Sequence, residues 1–288
     1  MKKQLNLFGE RDSFVVPNVA LVPQYSPLRY PGGKTWLYPF AKRWLKAEKS
    51  KLLIEPFAGG ASVGLAAAIE GWVEKVILVE KDENIASLWQ TIISGDGPWL
   101  ARQIVEFDFT EENINRVLEK SNESIRDRAF AVMLHNRINR GGILAQGAGR
   151  VKHGENGKGL ISRWYPKTLA ERILRISQYR DRLQIIQGDG LEVIMTSTGD
   201  EKVAFFIDPP YTVAGKRLYT YSDIDHEKLF LLMKEVRGTF LMTYDDTEEI
   251  REYARKHGFE YEKILMKTTH HIKKYELLIS TNLSWLYK

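Results

Sequence analysis

The sequence predicts an α/β fold, in which a doubly wound, mostly parallel sheet is interrupted by a helical insertion. Short apolar strands alternate with helical stretches between Leu52 and Ile93. The pattern then changes, and residues 95–182 show helical periodicity without a clear strand. Apolar strands return after residue 182. Strands that alternate with helices are typical of βαβ units, so both strand-bearing regions are predicted to share one sheet.

The first strand-bearing region is preceded by a segment without a helical or strand pattern. Residues 1–25 contain Pro17 and Pro23, lack sustained periodicity, and are predicted to form a flexible tail. A helix is expected through Trp44 after the glycine-containing turn at 26–36. Strands are then predicted at 52–55 and 76–80, with helices at about 61–70 and 83–93.

The insertion and the second strand-bearing region complete the assignment. Helices are predicted in the insertion at 111–119, 125–138 and 167–179, around a glycine-rich loop at 141–159. Later strands are expected at 183–186, 203–207, 239–242, 261–266 and 276–281, and later helices at 225–236 and 248–257. The predicted organisation is therefore a tail (1–25), a sheet domain (26–94 and 183–288) and an insertion (95–182).

Composition excludes several classes of protein. Hydrophobic residues make up 43% of the 288 residues, which is enough for a buried core. No apolar run approaches the roughly 18 residues of a membrane span, and no signal peptide is visible, so a cytoplasmic protein is expected. The chain has no cysteine, so disulfides, thiolate zinc sites and a cysteine nucleophile are excluded. The histidines lack ligand spacing, and His270-His271 is interpreted as a strand-end pair, so no metal is expected.

Positive charge is concentrated in one segment. Between Arg137 and Arg182 there are eleven Lys or Arg residues and three acids, a charge of +8 in a chain whose formal net charge is +5. Such a block favours a surface for a polyanion, although a solvated helix face rich in arginine remains an alternative. The candidate contacts with a polyanion in this block are Arg137, Arg140, Arg150, Lys152 and Arg163.

A glycine-rich turn follows the strand at 52–55. Gly59-Gly60 would let the backbone approach a ligand, and the helix that follows offers free N–H groups. Glu80, at the end of the next strand, could accept hydrogen bonds from both hydroxyls of a ribose. The dinucleotide pattern G-x-G-x-x-G is absent, so NAD is disfavoured; a tight turn beside a surface glutamate is the alternative.

Pro31-Gly-Gly-Lys-Thr35 only superficially resembles a phosphate-binding loop. The pattern G-x-x-x-x-G-K-[ST] requires glycine at position 28, which is Leu28, and the segment does not follow a strand. A nucleoside triphosphate site is therefore not predicted here.

The sharpest signal is Asp208-Pro209-Pro210-Tyr211 at the end of an apolar strand. The prolines restrict the backbone, so the Asp208 carboxylate and the Pro209 carbonyl could act as paired acceptors. Pro210 has no N–H to compete with them, and Tyr211 offers a flat stacking face. Two acceptors beside an aromatic face suit a planar ring that bears an NH₂ group. The alternative is a rigid turn without chemistry.

These segments together resemble a known family. Asp208-Pro-Pro-Tyr211 is similar to the catalytic motif of DNA N6-adenine methyltransferases, and Pro27–Lys34 and Glu55–Gly60 resemble the two cofactor motifs of the Dam-like (D12 class) branch. The order of the motifs also matches that branch. The later segments 225–229, 240–246 and 276–279 resemble its further blocks.

The resemblance implies a Rossmann-like methyltransferase that uses S-adenosyl-L-methionine, with residues 95–182 as the target-recognition insertion. It places Tyr30, Lys34, Glu55 and Phe57 around the cofactor, with Lys34 suited to its carboxylate. The same cofactor site would include Gly59, Gly60, Glu80, Asp189 and Asp208. The insertion lacks the usual N-G-L-x-R and F-N-V-P segments, so the target sequence is not assigned. Gln187–Gly190 has glycine where many relatives carry an aromatic residue.

The implied partner is double-stranded DNA, bound by a monomer. An RNA or protein amine methyltransferase, and a catalytically silent DNA-binding module, are the alternatives. Gln4-Leu-Asn-Leu-Phe8 also resembles the short peptide by which bacterial replication and repair proteins bind the DNA sliding clamp. We therefore expect the clamp to be a second partner of the protein, bound through the tail.

Overall fold

One sheet of eight strands organises the computed structural model, which describes residues 14–15, 21–145, 147–154, 157–211, 219–267 and 273–287. The strands are β1 (Phe14–Val15), β2 (Leu52–Glu55), β3 (Lys75–Glu80), β4 (Leu183–Gln187), β5 (Val203–Ile207), β6 (Thr239–Asp245), β7 (Glu260–Lys267) and β8 (Lys273–Ser280). Their order in the sheet is β1-β7-β8-β6-β5-β2-β3-β4. Only β8 runs antiparallel to its neighbours, so the carboxyl ends of β2 to β5 meet at one edge.

The central strands are apolar on both faces because helices cover the two sides of the sheet. Every residue of β5 (Val-Ala-Phe-Phe-Ile) is buried, as are Leu53 and Ile54 of β2. Near-continuous apolar strands are expected when a parallel sheet is covered on both faces. This packing fixes where the two strands end, and hence where Glu55 and Asp208 lie.

Ten α-helices lie in the described part of the chain. They are α1 (Tyr38–Glu48), α2 (Ser62–Glu70), α3 (Glu83–Thr91), α4 (Gly97–Glu106), α5 (Glu111–Glu119), α6 (Ile125–Ile138), α7 (Pro166–Gln178), α8 (Gly190–Ser197), α9 (His226–Lys234) and α10 (Glu248–His257). Several begin at a side-chain cap: Asp82 accepts from the N–H of Asn84, and Ser124 accepts from that of Asp127. None of the described helices is both long and apolar enough to cross a membrane.

The insertion helices share their core with the sheet layer. α6 packs against α3, and α4 packs against α7. A single cluster of buried side chains includes Leu88 of α3 and Met133 of α6 together with residues of α1 and α2. The Phe109 and Trp164 rings stack at 4.6 Å within this cluster. The division of the chain into a catalytic domain and an insertion therefore remains a prediction, because their cores are continuous.

The prediction of a flexible tail over residues 1–25 is wrong for its described residues. Phe14–Val15 pairs in parallel with β7, Val22 is buried, and the Tyr25 hydroxyl donates to Glu70 at 2.9 Å. Backbone pairing and a side-chain hydrogen bond fix these residues to the fold. The Gln4–Phe8 segment and His270-His271 both lie outside the described residues.

The α/β fold class is confirmed, and most predicted elements lie within a few residues of their observed positions. Two helices were not predicted from the sequence. α4 begins at Gly97-Pro98 and α8 begins at Gly190, and glycine or proline at these starts indicated loops. In both cases tertiary packing overrides the local signal, since Leu100 and Ile194 are fully buried.

Candidate active site

A large cleft opens at the edge of the sheet where β2, β3, β4 and β5 end. It contains about 1150 Å³ of empty space, part of it open to solvent. Ligands of open α/β sheets bind outside the carboxyl ends of the strands, so this is the expected position. The fold brings all of the predicted cofactor residues to its lining: Tyr30, Lys34, Glu55, Phe57, Gly59, Gly60, Glu80, Asp189 and Asp208.

The Tyr30 side chain packs against the glycine-rich turn after β2. Gly59 has φ +46°, and its N–H donates to Glu80 Oε2 at 2.9 Å. A Cβ atom on Gly59 would lie 2.6 Å from Tyr30 Cε1, and one on Gly60 would lie 2.8 Å from Tyr30 Cβ. The two glycines are therefore required for Tyr30 to lie across the turn, which sequence reasoning did not anticipate.

Glu80 and Asp189 are oriented by donors from the neighbouring backbone and side chains. Glu80 accepts from the N–H of Gly59 through one oxygen and from that of Asp82 through the other, at 2.9 Å each. Burial raises the pKa of Glu80 to about 7. Asp189 pairs with Lys81 at 2.8 Å and caps α8 through the N–H of Leu191. Each carboxylate oxygen has a second lone pair, so Glu80 can still accept from a ligand.

Glu55 lies deeper, at the base of the cleft. Its Oε2 atom accepts from the N–H of Gly64 at 2.8 Å, and burial raises the pKa of its carboxyl group well above the ordinary range. A buried carboxyl group with one backbone donor favours the protonated form. Glu55 therefore connects β2 to α2 from the floor of the cleft.

Asp208 receives three donors on one of its two carboxylate oxygens. Oδ1 lies 2.9 Å from Lys34 Nζ, 2.8 Å from Thr243 Oγ1 and 3.2 Å from the Tyr211 hydroxyl. No described residue donates to Oδ2. Because the side chain is 22% exposed and borders the cleft, Oδ2 is the oxygen that a bound group can reach.

Lys34 occupies a buried site between two acids. Its ammonium group contacts Asp208 Oδ1, the Gly32 carbonyl at 2.9 Å and Glu276 Oε2 at 3.5 Å. Burial alone would lower the pKa of Lys34, but the two carboxylates hold it above its usual value. Asp208 and the Gly32 carbonyl use two of the three N–H donors of the ammonium group, while the 3.5 Å ion pair with Glu276 is long for a charged hydrogen bond. The contact of Lys34 with the cofactor carboxylate therefore stays a prediction.

The rest of the Asp-Pro-Pro-Tyr segment reaches the cleft only in part, and Tyr211 is not among the residues that line it. Pro210 lines it, while Pro209 is buried. The Tyr211 ring stacks on Tyr244 at 5.9 Å, and Lys34 Nζ lies 4.9 Å from its centroid. A buried tyrosine and an ammonium group therefore fix the orientation of the Tyr211 ring.

The five predicted DNA contacts fall into two groups. Arg140, Arg150 and Lys152 are exposed. Arg137 and Arg163 are buried, and their guanidinium groups donate to the backbone carbonyls of Pro27 and Asn139 respectively. A DNA contact for these two is therefore wrong in this structure, because neither side chain reaches the surface. They instead tie the insertion to the segment before Tyr30 and to its own loop.

Three residues of the site had no role assigned from the sequence, although the segments 240–246 and 276–279 resemble blocks of the family. Thr243 and Glu276 reach Asp208 and Lys34 from β6 and β8, and Tyr219 stacks on Tyr30 at 5.8 Å. Tyr219 also donates to the Pro31 carbonyl at 2.9 Å. An acid within an apolar strand is the one signal that could have indicated Glu276, since a buried charge requires a partner.

The family of the chain follows from comparison with known proteins. No curated protein matches the chain. Among solved structures, the rRNA methyltransferase aviRa from Streptomyces viridochromogenes is 12% identical, with 88% of this chain and 86% of that one covered and a TM-score of 0.37. The precorrin-6y C5,15-methyltransferase from Geobacter metallireducens is 8% identical, with 85% of each chain covered and a TM-score of 0.36. A family model for D12 class N6 adenine-specific DNA methyltransferases matches residues 30–270. The chain therefore belongs to the D12 class N6 adenine-specific DNA methyltransferase family.

Proposed function

We propose that the protein transfers a methyl group from S-adenosyl-L-methionine to N6 of a flipped-out adenine in double-stranded DNA. The observation that carries the proposal is the Asp208 carboxylate, which is held through Oδ1 by three donors while its side chain borders the cleft. A fixed acceptor of this kind suits an amine that becomes positively charged during the reaction.

The lining of the cleft fits S-adenosyl-L-methionine. The Glu80 carboxylate is fixed by two backbone donors and suits the ribose hydroxyls. Asp189 is a candidate for the adenine amino group, while Phe57 and the Gly59–Gly60 backbone line the cleft between them. When bound, the cofactor supplies an electrophilic sulfonium methyl group, so the protein's main task is alignment.

The Asp208–Tyr211 segment would act on the target base. The base must leave the helical stack, at a cost of a few kcal/mol, and Tyr211 would offset roughly 1–3 kcal/mol of that cost by stacking. Asp208 Oδ2 and the Pro209 carbonyl would accept the two N6–H bonds and favour a more tetrahedral, more nucleophilic nitrogen. Lys34 would position Asp208 through its ion pair at 2.9 Å, in addition to the role with the cofactor carboxylate that the resemblance implied.

Methyl transfer from labelled cofactor distinguishes this proposal from its alternatives. The purified protein is incubated with duplex DNA, RNA or protein, and the DNA is digested and analysed for N6-methyladenine by mass spectrometry. We expect label in duplex DNA as N6-methyladenine, and none with Asp208→Ala. Label in RNA or protein alone would favour those substrates, and DNA binding without transfer would indicate a silent module. Sequencing DNA from expressing cells with modified-base detection would then give the target sequence.

We further propose that the enzyme acts as a monomer.

We also propose that the segment Gln4–Phe8 binds the DNA sliding clamp. The support for clamp binding is the sequence motif, in which Leu7 and Phe8 would enter an apolar groove and Gln4 would form a hydrogen bond at its edge. Affinity should be modest, because a five-residue motif offers a small contact area, but the clamp would raise the local concentration of DNA. A peptide of residues 1–12 is titrated against the host clamp, with Leu7→Ala plus Phe8→Ala as the control. Equal binding of both peptides would contradict the proposal.

A further inference from the structure

A second concave site lies in the insertion, beside the main cleft. We call it the insertion pocket; it lies between the start of α3 and α6 and is bounded by the loop that leads to Arg150. It contains about 900 Å³ of empty space, part of it open to solvent. Leu144 and Ala145 line both the insertion pocket and the main cleft, so a ligand in one is a near neighbour of a ligand in the other.

The charged side chains that line the insertion pocket are basic. Arg128 and His135 of α6 line it together with Arg150 from the loop that follows. No aspartate or glutamate lies among its described lining residues. Burial, and then the charge of Arg150, lower the pKa of His135, which agrees with a positive potential inside the pocket.

The arginines hold donors that the protein's own acceptors do not fully use. Arg128 Nε is buried and has no hydrogen-bond partner among the described residues. Its Nη1 atom lies 3.5 Å from Glu83 Oε2, which is long for a charged hydrogen bond. Arg150 donates through Nη1 to Asn115 at 2.9 Å. A buried donor without a partner has a free-energy cost. The Arg128 side chain as a whole is 23% exposed and lines the pocket, so a ligand with acceptor oxygens can contact it.

We propose that the insertion pocket binds a backbone phosphate of the DNA, next to the nucleotide whose base enters the main cleft. The inference rests on the proposed function. A phosphodiester offers two unesterified oxygens, and a guanidinium group matches that geometry with two parallel N–H bonds. The shared wall of Leu144 and Ala145 places such a phosphate where it would fix the strand that carries the flipped base. The pocket thereby supplies the positioning contacts that the buried Arg137 and Arg163 do not.

The salt dependence of DNA binding tests the proposal. Affinity for duplex DNA is measured by fluorescence anisotropy over a salt series for wild type, Arg128→Gln and Arg150→Gln. Loss of one phosphate contact should reduce the slope of log K against log salt by about 0.9 and lower affinity about equally for all sequences. Arg237→Gln is the matched control, because Arg237 is exposed and precedes β6 at the opposite edge of the sheet. It should keep the slope of the wild type.

A second variant covers the case in which Arg128→Gln does not fold. Ala148 lines the insertion pocket and is partly exposed, so Ala148→Asp adds a repulsive carboxylate without removing an arginine. We expect at least a tenfold loss of DNA affinity, with cofactor affinity unchanged by calorimetry. Unchanged DNA binding in Ala148→Asp and Arg150→Gln, or an equal effect of Arg237→Gln, would overturn the proposal.

The same experiment distinguishes failure of the pocket assignment from failure of the proposed function. If the wild type binds and methylates duplex DNA while the pocket variants keep its slope, only the pocket assignment fails. If the wild type neither binds nor methylates DNA, the proposed function fails, and the pocket assignment fails with it.

Discussion

Asp208→Asn is the most direct test of how the acidic side chain would act. The three donors that face Oδ1 would hold the amide oxygen in that position. The amide NH₂ group would then take the place of Oδ2 and point a donor at the target amine. The substitution therefore replaces an acceptor by a donor, although the side chain keeps its shape.

The size of the effect follows from the contact that is lost. A hydrogen bond to a charged group contributes about 1.5–3 kcal/mol, which corresponds to roughly 10- to 160-fold in rate. Removing one preorganised polar group from an active site costs roughly 10²- to 10³-fold in kcat. Because the opposed donor adds repulsion, we expect a loss of kcat of at least about 100-fold. Cofactor affinity should change little, since the contact forms with the target base.

Single-turnover transfer of labelled methyl groups gives the rate, and calorimetry gives the cofactor affinity. Asp200→Asn is the control, because Asp200 is exposed and precedes β5 at the opposite edge of the sheet. A loss of less than about tenfold (1.36 kcal/mol) in a folded Asp208→Asn protein would refute the reasoning. An equal loss of cofactor affinity would also refute it, because Asp208 would then act mainly on the cofactor.

Three further predictions concern the cleft and its support. Gly60→Ala should lower the free energy of unfolding by about 1–3 kcal/mol in urea titrations, because the new Cβ would lie 2.8 Å from Tyr30 Cβ; unchanged stability would show that the turn can shift. Cofactor affinity should fall as pH is lowered through about 7, the value to which burial raises the pKa of Glu80, because the protonated form accepts less well. Glu80→Gln should bind more weakly and flatten that pH profile in calorimetry, and a pH dependence that persists would assign it to another group. Glu70→Ala should lower the free energy of unfolding by about 1–3 kcal/mol, since Glu70 accepts from Tyr25 and three other side chains; an unchanged urea midpoint would contradict this.

The local parts of the site were predictable because each is a short segment with its own chemistry. Gly59-Gly60 and Asp208–Tyr211 each follow an apolar strand, and parallel strands bring such ends to one edge. The position of Glu80 follows for the same reason. Sequence spacing was sufficient wherever the side chain acts close to the strand that carries it.

The remaining residues depend on tertiary register and on burial. Glu276 reaches Lys34 because β8 runs antiparallel and pairs it with Asp245, and no local pattern encodes that register. Arginine composition likewise does not tell whether a guanidinium group meets solvent or a carbonyl. Arg137 and Arg163 are buried, while Arg150 is exposed, within the same basic block.

If the insertion recognises the target sequence, as the resemblance implies, the shared core of α3 and α6 limits how relatives could acquire a new one. An insertion with its own hydrophobic core could be exchanged between relatives as an independent unit. Here the inner face of α6 supplies Met133 and Leu134 to the same cluster as Leu88 of α3. A chimaera that exchanged the whole insertion would leave voids under α3, the helix that follows Glu80. Changes of specificity should therefore be tolerated in the loops and outer faces of the insertion, while the inner face of α6 changes only together with α3.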